Sequence, residues 1–321
     1  MVWTPLHAYL HTLLRQHPYL PPRSRLLLGF SGGQDSLCLL QLLRDLQPKW
    51  HWDLAIAHCD HRWPPDSHLN AQHVAQLAQT WQITLHSFLA PKRLKGEAEG
   101  RTWRYQVMSD LAQQQGYTHL VTAHTASDRA ETLLYNLVRG SGMDGLQALL
   151  WQRKLTDIVT LVRPLLATTR AQTQTFCQEL NLPIWNDSMN QDYHYRRNRL
   201  RLDVLPYLRE HFNPQVDRAI AQTAELLQAD VEYLEKQAQK LFIAALNPEN
   251  VRQIDRQKLA EAPLSLQRRT LRLFLNPIPG LNYTKIEQVL QLLYGNHRDR
   301  TESLGGGWSA EVFHRWIQLI Q

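Results

Sequence analysis

Six small and polar residues interrupt the apolar pattern of residues 25–45: Ser31, Gly32, Gly33, Gln34, Asp35 and Ser36. The residues before them suit a buried strand, and leucines recur at helical spacing after them. Glycines permit backbone angles that are closed to other residues, so successive N–H groups can turn toward an anion. The first N–H groups of the following helix add partial positive charge. This turn is therefore predicted to bind a polyphosphate.

The same turn lacks the lysine of the Walker loop, GxxxxGK followed by Ser or Thr, so ordinary γ-phosphate transfer is not indicated. A second candidate group lies downstream, where His124 precedes Asp128 and Glu131. The two carboxylates are three residues apart in a helical pattern, which places them on one face. Acidic residues near a helix N-terminus also stabilise the helix itself, and that simpler interpretation stays open at this point.

Five strand-like segments position these residues: SRLLLGF, DLAIAHC, ITLHSFL, THLVTAH and DIVTLVRPLL. Helical patterns around residues 68–80, 99–115 and 127–139 separate them. This alternation predicts an α/β fold with a parallel five-stranded sheet and helices on both faces. Ligands of such sheets bind beyond the carboxyl ends of the strands. Residues 31–36, 58–62 and 124–131 each follow a strand, so all three are predicted to meet at one edge.

The chain of 321 residues is long enough for two domains. We predict an ATP-binding catalytic domain over residues 1–211, a connecting helix over 212–242 and a small, mostly helical domain over 243–321, with a strand pair near its end. The net charge of +6 and pI of about 9.3 fit a polyanionic partner. No apolar stretch reaches the ~18 residues of a membrane span, and the start lacks signal-peptide features. We therefore expect a cytoplasmic protein with no membrane association.

Four motifs occur in order between Arg25 and Leu208: SGGQDS, AHCDHRWPPDS, HTASDRAET followed by RGSG, and NDSMNQDYHYRRNRLRLDVLP. The first resembles the pyrophosphate-binding loop of the ATP pyrophosphatases, which split ATP to AMP and pyrophosphate. Together they resemble the tRNA(Ile)-lysidine synthetases. That resemblance implies a ligase that joins free L-lysine to C2 of cytidine 34 in the CAU anticodon of tRNA(Ile). The reaction would use ATP and Mg²⁺ and pass through an adenylated tRNA.

The resemblance also implies roles for individual residues. The turn from Ser31 to Ser36 would hold ATP phosphates, with Asp35 binding Mg²⁺, while His58 and His61, flanking Asp60, would lie beside the adenosine. Asp128 and Glu131 would bind the lysine substrate, with His124 or one of these carboxylates accepting its proton. Arg104 would stabilise the adenylate phosphate. Trp63 departs from the family pattern DHxLR, in which a leucine stands at its position.

Four arginines, Arg196, Arg197, Arg199 and Arg201, lie within six positions. We predict that they bind tRNA phosphates, with Tyr193 and Tyr195 stacking on bases, although pairing with Asp192 and Asp203 is an alternative. A tRNA thiolation enzyme is the nearest rival function, but Cys38, Cys59 and Cys177 form no CxxC pair. A non-catalytic RNA-binding protein is the rival from another class. A homodimer is left open by the sequence.

Overall fold

The computed structural model describes residues 3–63, 67–186, 189 and 192–321. Parts of two motifs, residues 64–66 and residues 187, 188, 190 and 191, lie outside the described residues. The chain divides into two compact units, Met1–Leu227 and Gln228–Gln321. Among the described helices, none is long and apolar enough to cross a membrane.

A six-stranded sheet forms the centre of the first unit, in the order β3-β2-β1-β4-β6-β5. Its strands are β1 Arg25–Gly29, β2 Asp53–Asp60, β3 Thr84–Leu89, β4 His119–Val121, β5 Gln152–Lys154 and β6 Thr160–Val162. Five of them are parallel, as the sequence predicts, whereas β5 pairs antiparallel with β6 at the sheet edge. All three residues of β5 are exposed. The strand therefore has no apolar period by which sequence could reveal it.

Helices cover both faces of this sheet. The helices that begin in the first unit are α1 Pro5–Gln16, α2 Gln34–Trp50, α3 Ser67–Thr80, α4 Glu97–Gln115, α5 Ala126–Val138, α6 Met143–Leu146, α7 Arg170–Glu179, α8 Arg196–Arg199, α9 Leu205–His211 and α10 Val216–Ala245, the last of which continues past Leu227 into the second unit. One turn of π-helix, Leu200–Val204, joins α8 to α9. The predicted helical patterns at 68–80, 99–115 and 127–139 correspond to α3, α4 and α5.

The side chains of β1 show how the two layers are held. Leu26 and Leu28 pack into a cluster with Leu40 of α2, whereas Leu27 packs into a second cluster with Met108 of α4. Successive side chains of a strand point to opposite faces of the sheet, so each face receives its own helix layer. These leucines are fully buried. Each contributes about 1.5–3 kcal/mol through removal of apolar surface from water.

The second unit contains a four-stranded antiparallel sheet in the order β7-β8-β10-β9. Its elements are β7 Leu246–Asn247, β8 Asn250–Asp255, α11 Arg256–Ala260, α12 Leu264–Phe274, α13 Tyr283–Gln291, a 3-10 turn Leu292–Tyr294, β9 Ser309–Phe313 and β10 Trp316–Ile320. The helices and the β9–β10 hairpin agree with the predicted module. Strands β7 and β8 were not predicted, because β8 is mostly polar and its Val251 faces solvent.

Candidate active site

A cavity of about 1120 Å³ lies at the carboxyl ends of the parallel strands in the first unit. Its wall includes the turn after β1, the residues after β2 and the start of α5, so the three predicted segments do meet. Sheets of this type bind ligands at this edge. Helices α3, α4 and α7, residues 184–186 and residues 195–202 also contribute to the lining.

The glycine turn enters α2 with its N–H groups available. Gly32 has φ +80°, and Gly33 is the N-cap of α2 without a side-chain cap. Ser36 Oγ donates to the Gly33 carbonyl at 2.9 Å and accepts from the Ser31 N–H at 3.3 Å, which closes the turn. The N–H groups of Gln34, Asp35 and Ser36 have no acceptor among the described residues. This is the arrangement that binds anions at helix N-termini.

Asp35 lies between this turn and helix α7. Its carboxylate accepts hydrogen bonds from Thr173 Oγ1 and, at 3.3 Å, from Arg170 Nε. Gln34 ties the same helices together, because its side-chain amide donates to the Arg170 carbonyl at 2.7 Å. Burial raises the pKa of Asp35, and the nearby Asp128 carboxylate raises it further against the opposing charge of Arg170.

Asp128 performs two tasks with its two oxygens. Oδ2 accepts from the N–H of Thr125 at 2.8 Å and from its hydroxyl at 2.7 Å, forming a capping box at the start of α5. Oδ1 accepts from Arg170 at 2.7 Å. Burial opposes ionisation, but the charges of Arg170 and Arg201 together with the hydrogen bond from Thr125 outweigh it and hold the pKa of Asp128 well below its usual range. Asp128 therefore caps α5 and also lines the cavity.

Glu131 is almost fully buried, with 2% of its side chain exposed. Its Oε1 accepts from Arg170 at 3.0 Å and from Arg201 Nε at 2.8 Å, and its Oε2 accepts from Arg201 at 2.9 Å. Two guanidinium groups thus face three carboxylates, those of Asp35, Asp128 and Glu131. The count of three negative and two positive charges leaves one negative charge in excess.

Arg170 was missed by sequence reasoning although it contacts all three carboxylates. It is the first residue of α7, after the N-cap Thr169. The segment TTRAQTQ belongs to none of the four motifs. Arg170 could be expected from the sequence only indirectly, because three buried carboxylates require a cation nearby.

Three histidines near the cavity have lowered pKa values. His58 Nδ1 lies 3.0 Å from the Phe30 carbonyl, and burial lowers its pKa. Burial and the charge of Arg104 lower the pKa of His61 to about 4, and burial and Arg163 lower that of His124 to about 3. All three rings are therefore neutral near pH 7. His124 Nδ1 pairs with Thr122 Oγ1 at 3.0 Å.

Trp63, which departs from the family pattern DHxLR, packs against Gly100 of α4. A Cβ on Gly100 would lie 2.5 Å from the Trp63 ring, so no larger residue fits beneath it. The indole N–H donates to the Leu94 carbonyl at 2.9 Å, and the ring stacks on His61 at a centroid distance of 4.7 Å. Trp63 thus fixes one wall of the cavity.

A model of the PP-loop domain family matches residues 6–208. A tRNA(Ile)-lysidine synthase of Nostoc sp. is 52% identical, over 99% of this chain and 98% of that protein. One from Thermosynechococcus vestitus is 50% identical, over 100% of this chain and 93% of that protein. The chain belongs to the tRNA(Ile)-lysidine synthase family. The resemblance drawn from the motifs is confirmed.

Among solved structures, the U34-tRNA thiolase NcsA from Methanococcus maripaludis has a TM-score of 0.58 at 15% identity. The match covers 70% of this chain and 78% of that one. This likeness shows a shared fold alone and supports the predicted fold class.

The arginines after residue 195, which the lysidine synthase resemblance led us to assign to tRNA, fall into two pairs. Arg197 and Arg201 line the cavity. Arg197 donates to Glu97 at 2.9 Å, and Arg201 binds Glu131. Arg196 and Arg199 are exposed, and Arg199 donates to the Tyr193 carbonyl at 2.8 Å. The structure therefore separates a group that the sequence presents as one cluster.

Of the three cysteines, Cys59 lines the cavity, and Cys177 donates to the Gln34 carbonyl at 3.5 Å. Cys38 and Cys177 are buried and contact each other between α2 and α7, and burial raises the pKa of Cys38. Cys59 is half-buried in β2. Within the described ranges, no three His, Cys, Asp or Glu side chains are grouped as metal ligands.

We predict that Gly32→Ala raises the KM for ATP by about tenfold or more. The new Cβ would lie 3.2 Å from Asn70 Oδ1 and 3.4 Å from Trp185 Cβ at a φ of +80°, so the turn must shift. Gly307→Ala is the matched control, because its φ is +81° and nothing lies within 4 Å of the new Cβ. Both variants should lose about 1 kcal/mol of stability. Equal ATP kinetics in the two variants would contradict the prediction.

We predict that Asp35→Asn raises the melting temperature of the ligand-free protein at pH 7 by roughly 1–3 °C. A carboxyl whose pKa is raised on folding stabilises the folded state while protonated, and this contribution is lost as pH rises through that pKa. The gain should therefore shrink as the pH falls from 7 toward 5. Thermal unfolding at several pH values measures it, with Asp53→Asn, an exposed residue paired with Arg25, as control. A lower melting temperature for Asp35→Asn than for the wild-type protein at pH 7 would show that the ionised carboxylate does not destabilise the folded state.

Proposed function

We propose that this protein joins free L-lysine to C2 of cytidine 34 in the CAU anticodon of tRNA(Ile). ATP adenylates the tRNA, and AMP and diphosphate are released. Relatives named tRNA(Ile)-lysidine synthase at 50–52% identity support this function. We call Asp35, Asp128 and Glu131 the acidic cluster. The observation that carries the proposal is that this cluster lies beside the glycine turn, because the reaction needs a site for a cationic amine next to a site for phosphates.

The first step makes the C2 oxygen of cytosine displaceable. That oxygen is a poor leaving group, so it must first receive the adenylyl group of ATP. The free N–H groups of Gln34, Asp35 and Ser36 are suited to hold the departing diphosphate, since they need an acceptor and lie at a positive helix end. Arg104 lines the same cavity and is placed to bind the adenylate phosphate.

Asp35 is the residue suited to hold Mg²⁺. Magnesium in nucleotide sites uses one or two carboxylates together with substrate phosphates, so a single aspartate beside the turn is sufficient. The raised pKa of Asp35 fits this role, because its burial beside Asp128 leaves a negative charge that a dication would relieve. When bound, Mg²⁺ would offset the charge that accumulates on the departing diphosphate. Thr173 and Arg170 fix the orientation of the Asp35 carboxylate.

The second step places the lysine amine against C2. The lowered pKa of Asp128 keeps its carboxylate ionised, so that it attracts the ammonium group of lysine. We assign Asp128 and Glu131 to lysine binding.

The amine must lose its proton before attack, since its ordinary pKa is about 10.4. Among the candidate acceptors, His124 has an available ring nitrogen, because its Nε2 has no hydrogen-bond partner among the described residues, whereas arginines occupy both carboxylates.

Incubation with ATP, Mg²⁺, radiolabelled lysine and tRNA(Ile) bearing a CAU anticodon should give covalent label on the tRNA and AMP as product. Asp35→Asn should lower kcat by about 100-fold or more, because it removes the charge that positions the cation. Asp53→Asn removes an exposed carboxylate at the opposite end of β2 and should leave kcat unchanged. Formation of ADP in place of AMP, or lysine-independent labelling, would contradict the proposed reaction.

A further inference from the structure

Four arginines surround Tyr105 of α4. The guanidinium groups of Arg101 and Arg153 lie 5.7 and 5.5 Å from the centre of its ring, and the charge of Arg163 acts on its hydroxyl. Arg104 lies close enough to act on the same ring by its charge. We call Arg101, Arg104, Arg153 and Arg163 the arginine wall. It draws on α4, the edge strand β5 and the residue after β6, which are far apart in sequence.

None of these four arginines forms an ion pair with a carboxylate in the part of the chain that the structure describes. Arg163 is 2% exposed, and its Nε is buried without a hydrogen-bond partner there, although another of its nitrogens donates to the Leu150 carbonyl at 2.7 Å. Buried charge without a counterion is costly. By contrast, Arg170, Arg197 and Arg201 are all bound to carboxylates. Among the described residues, the arginine wall therefore holds the positive charge of the site that no carboxylate neutralises.

Neighbouring groups respond to this charge. Burial alone would raise the pKa of Tyr105, yet the charges of Arg163, Arg101 and Arg104 lower it. Arg163 also acts with burial to lower the pKa of His124. Both shifts indicate a positive potential that extends from the wall into the cavity, where an anion would be attracted.

We propose that two accessible arginines of the wall, Arg101 and Arg153, bind the phosphodiester backbone of the RNA strand that carries the target cytidine into the cavity, while the buried Arg163 adds positive potential behind them. This rests on the proposed function, because it assigns a binding surface for the tRNA substrate. Arg153 is exposed on the outer strand of the sheet, beside the exposed Lys154, while Arg101 and Arg104 line the cavity. The arginine wall thus extends from the protein surface to the cavity. An RNA strand that inserts one base into the cavity requires phosphate contacts along such a path.

Position distinguishes this surface from the ATP phosphate site. The glycine turn follows β1, whereas Arg153 lies on β5, three strands further along the sheet order. Strands are about 4.8 Å apart, so Arg153 is roughly 14 Å from the β1 position. ATP phosphates held by the glycine turn therefore leave Arg153 free for another anion. Guanidinium groups suit phosphodiesters because they bind phosphate oxygens in a forked geometry.

The test is Arg153→Gln, which removes one charge from an exposed edge strand without disturbing the core. Filter binding of tRNA(Ile) without ATP or lysine should show about tenfold weaker affinity. The slope of log affinity against log salt concentration should fall in magnitude by about one. Arg101→Gln/Arg153→Gln should reduce the slope by about two. Arg15→Gln, an exposed arginine in the last turn of α1, is the matched control and should change neither quantity.

Wild-type affinity and salt slope in both arginine-wall variants would overturn the proposal. A higher KM for lysine with unchanged tRNA affinity would also overturn it, because the wall would then serve the carboxylate of the amino acid. The measurements of tRNA affinity and salt slope need no turnover. If the wild-type protein bound tRNA through Arg153 but transferred no lysine, the proposed reaction would fail while this surface stood.

Discussion

The contact of Arg170 with three carboxylates is the interaction on which the site depends. Asp35 belongs to the helix after the glycine turn, and Asp128 and Glu131 belong to α5. Without a shared cation, their mutual repulsion at this burial would separate the two helices or protonate one of the groups. Arg170 is itself the first residue of α7, so three helices converge on one guanidinium group. The glycine turn, proposed to bind phosphates, and the carboxylates of α5, proposed to bind the amine, are thereby held at fixed positions relative to each other.

Negative and positive side chains occupy different parts of this cavity. The acidic cluster is nearly neutralised by Arg170 and Arg201, whereas the arginine wall around Tyr105 is not matched by carboxylates among the described residues. A single pocket thus offers one region for an ammonium group and another for phosphates. The neutral histidines between them add hydrogen-bonding capacity without adding charge. A reaction that joins a cationic amine to a polyanion requires this separation, because each reactant would otherwise bind where the other must enter.

Sequence reasoning succeeded where a pattern has a direct physical cause. The strands and helices around the glycine turn follow from apolar periodicity, and the edge at which the motifs meet follows from parallel strand topology. It failed where contacts are made between distant segments. Strand β5 has no buried side chain, and Arg170 stands in no motif. Arg197 and Arg201 looked like part of one basic surface, but residues four apart share a helix face, and that face turns inward to Glu97 and Glu131.

The packing of Trp63 on Gly100 has a consequence for how this family diversifies. The indole ring occupies the volume that any side chain at position 100 would need, and it also supports His61. A smaller aliphatic residue at position 63 would leave a hollow that water or a bulkier neighbour would enter. Positions 63 and 100 are thus expected to vary together across related sequences, because together they set the shape of this wall of the cavity.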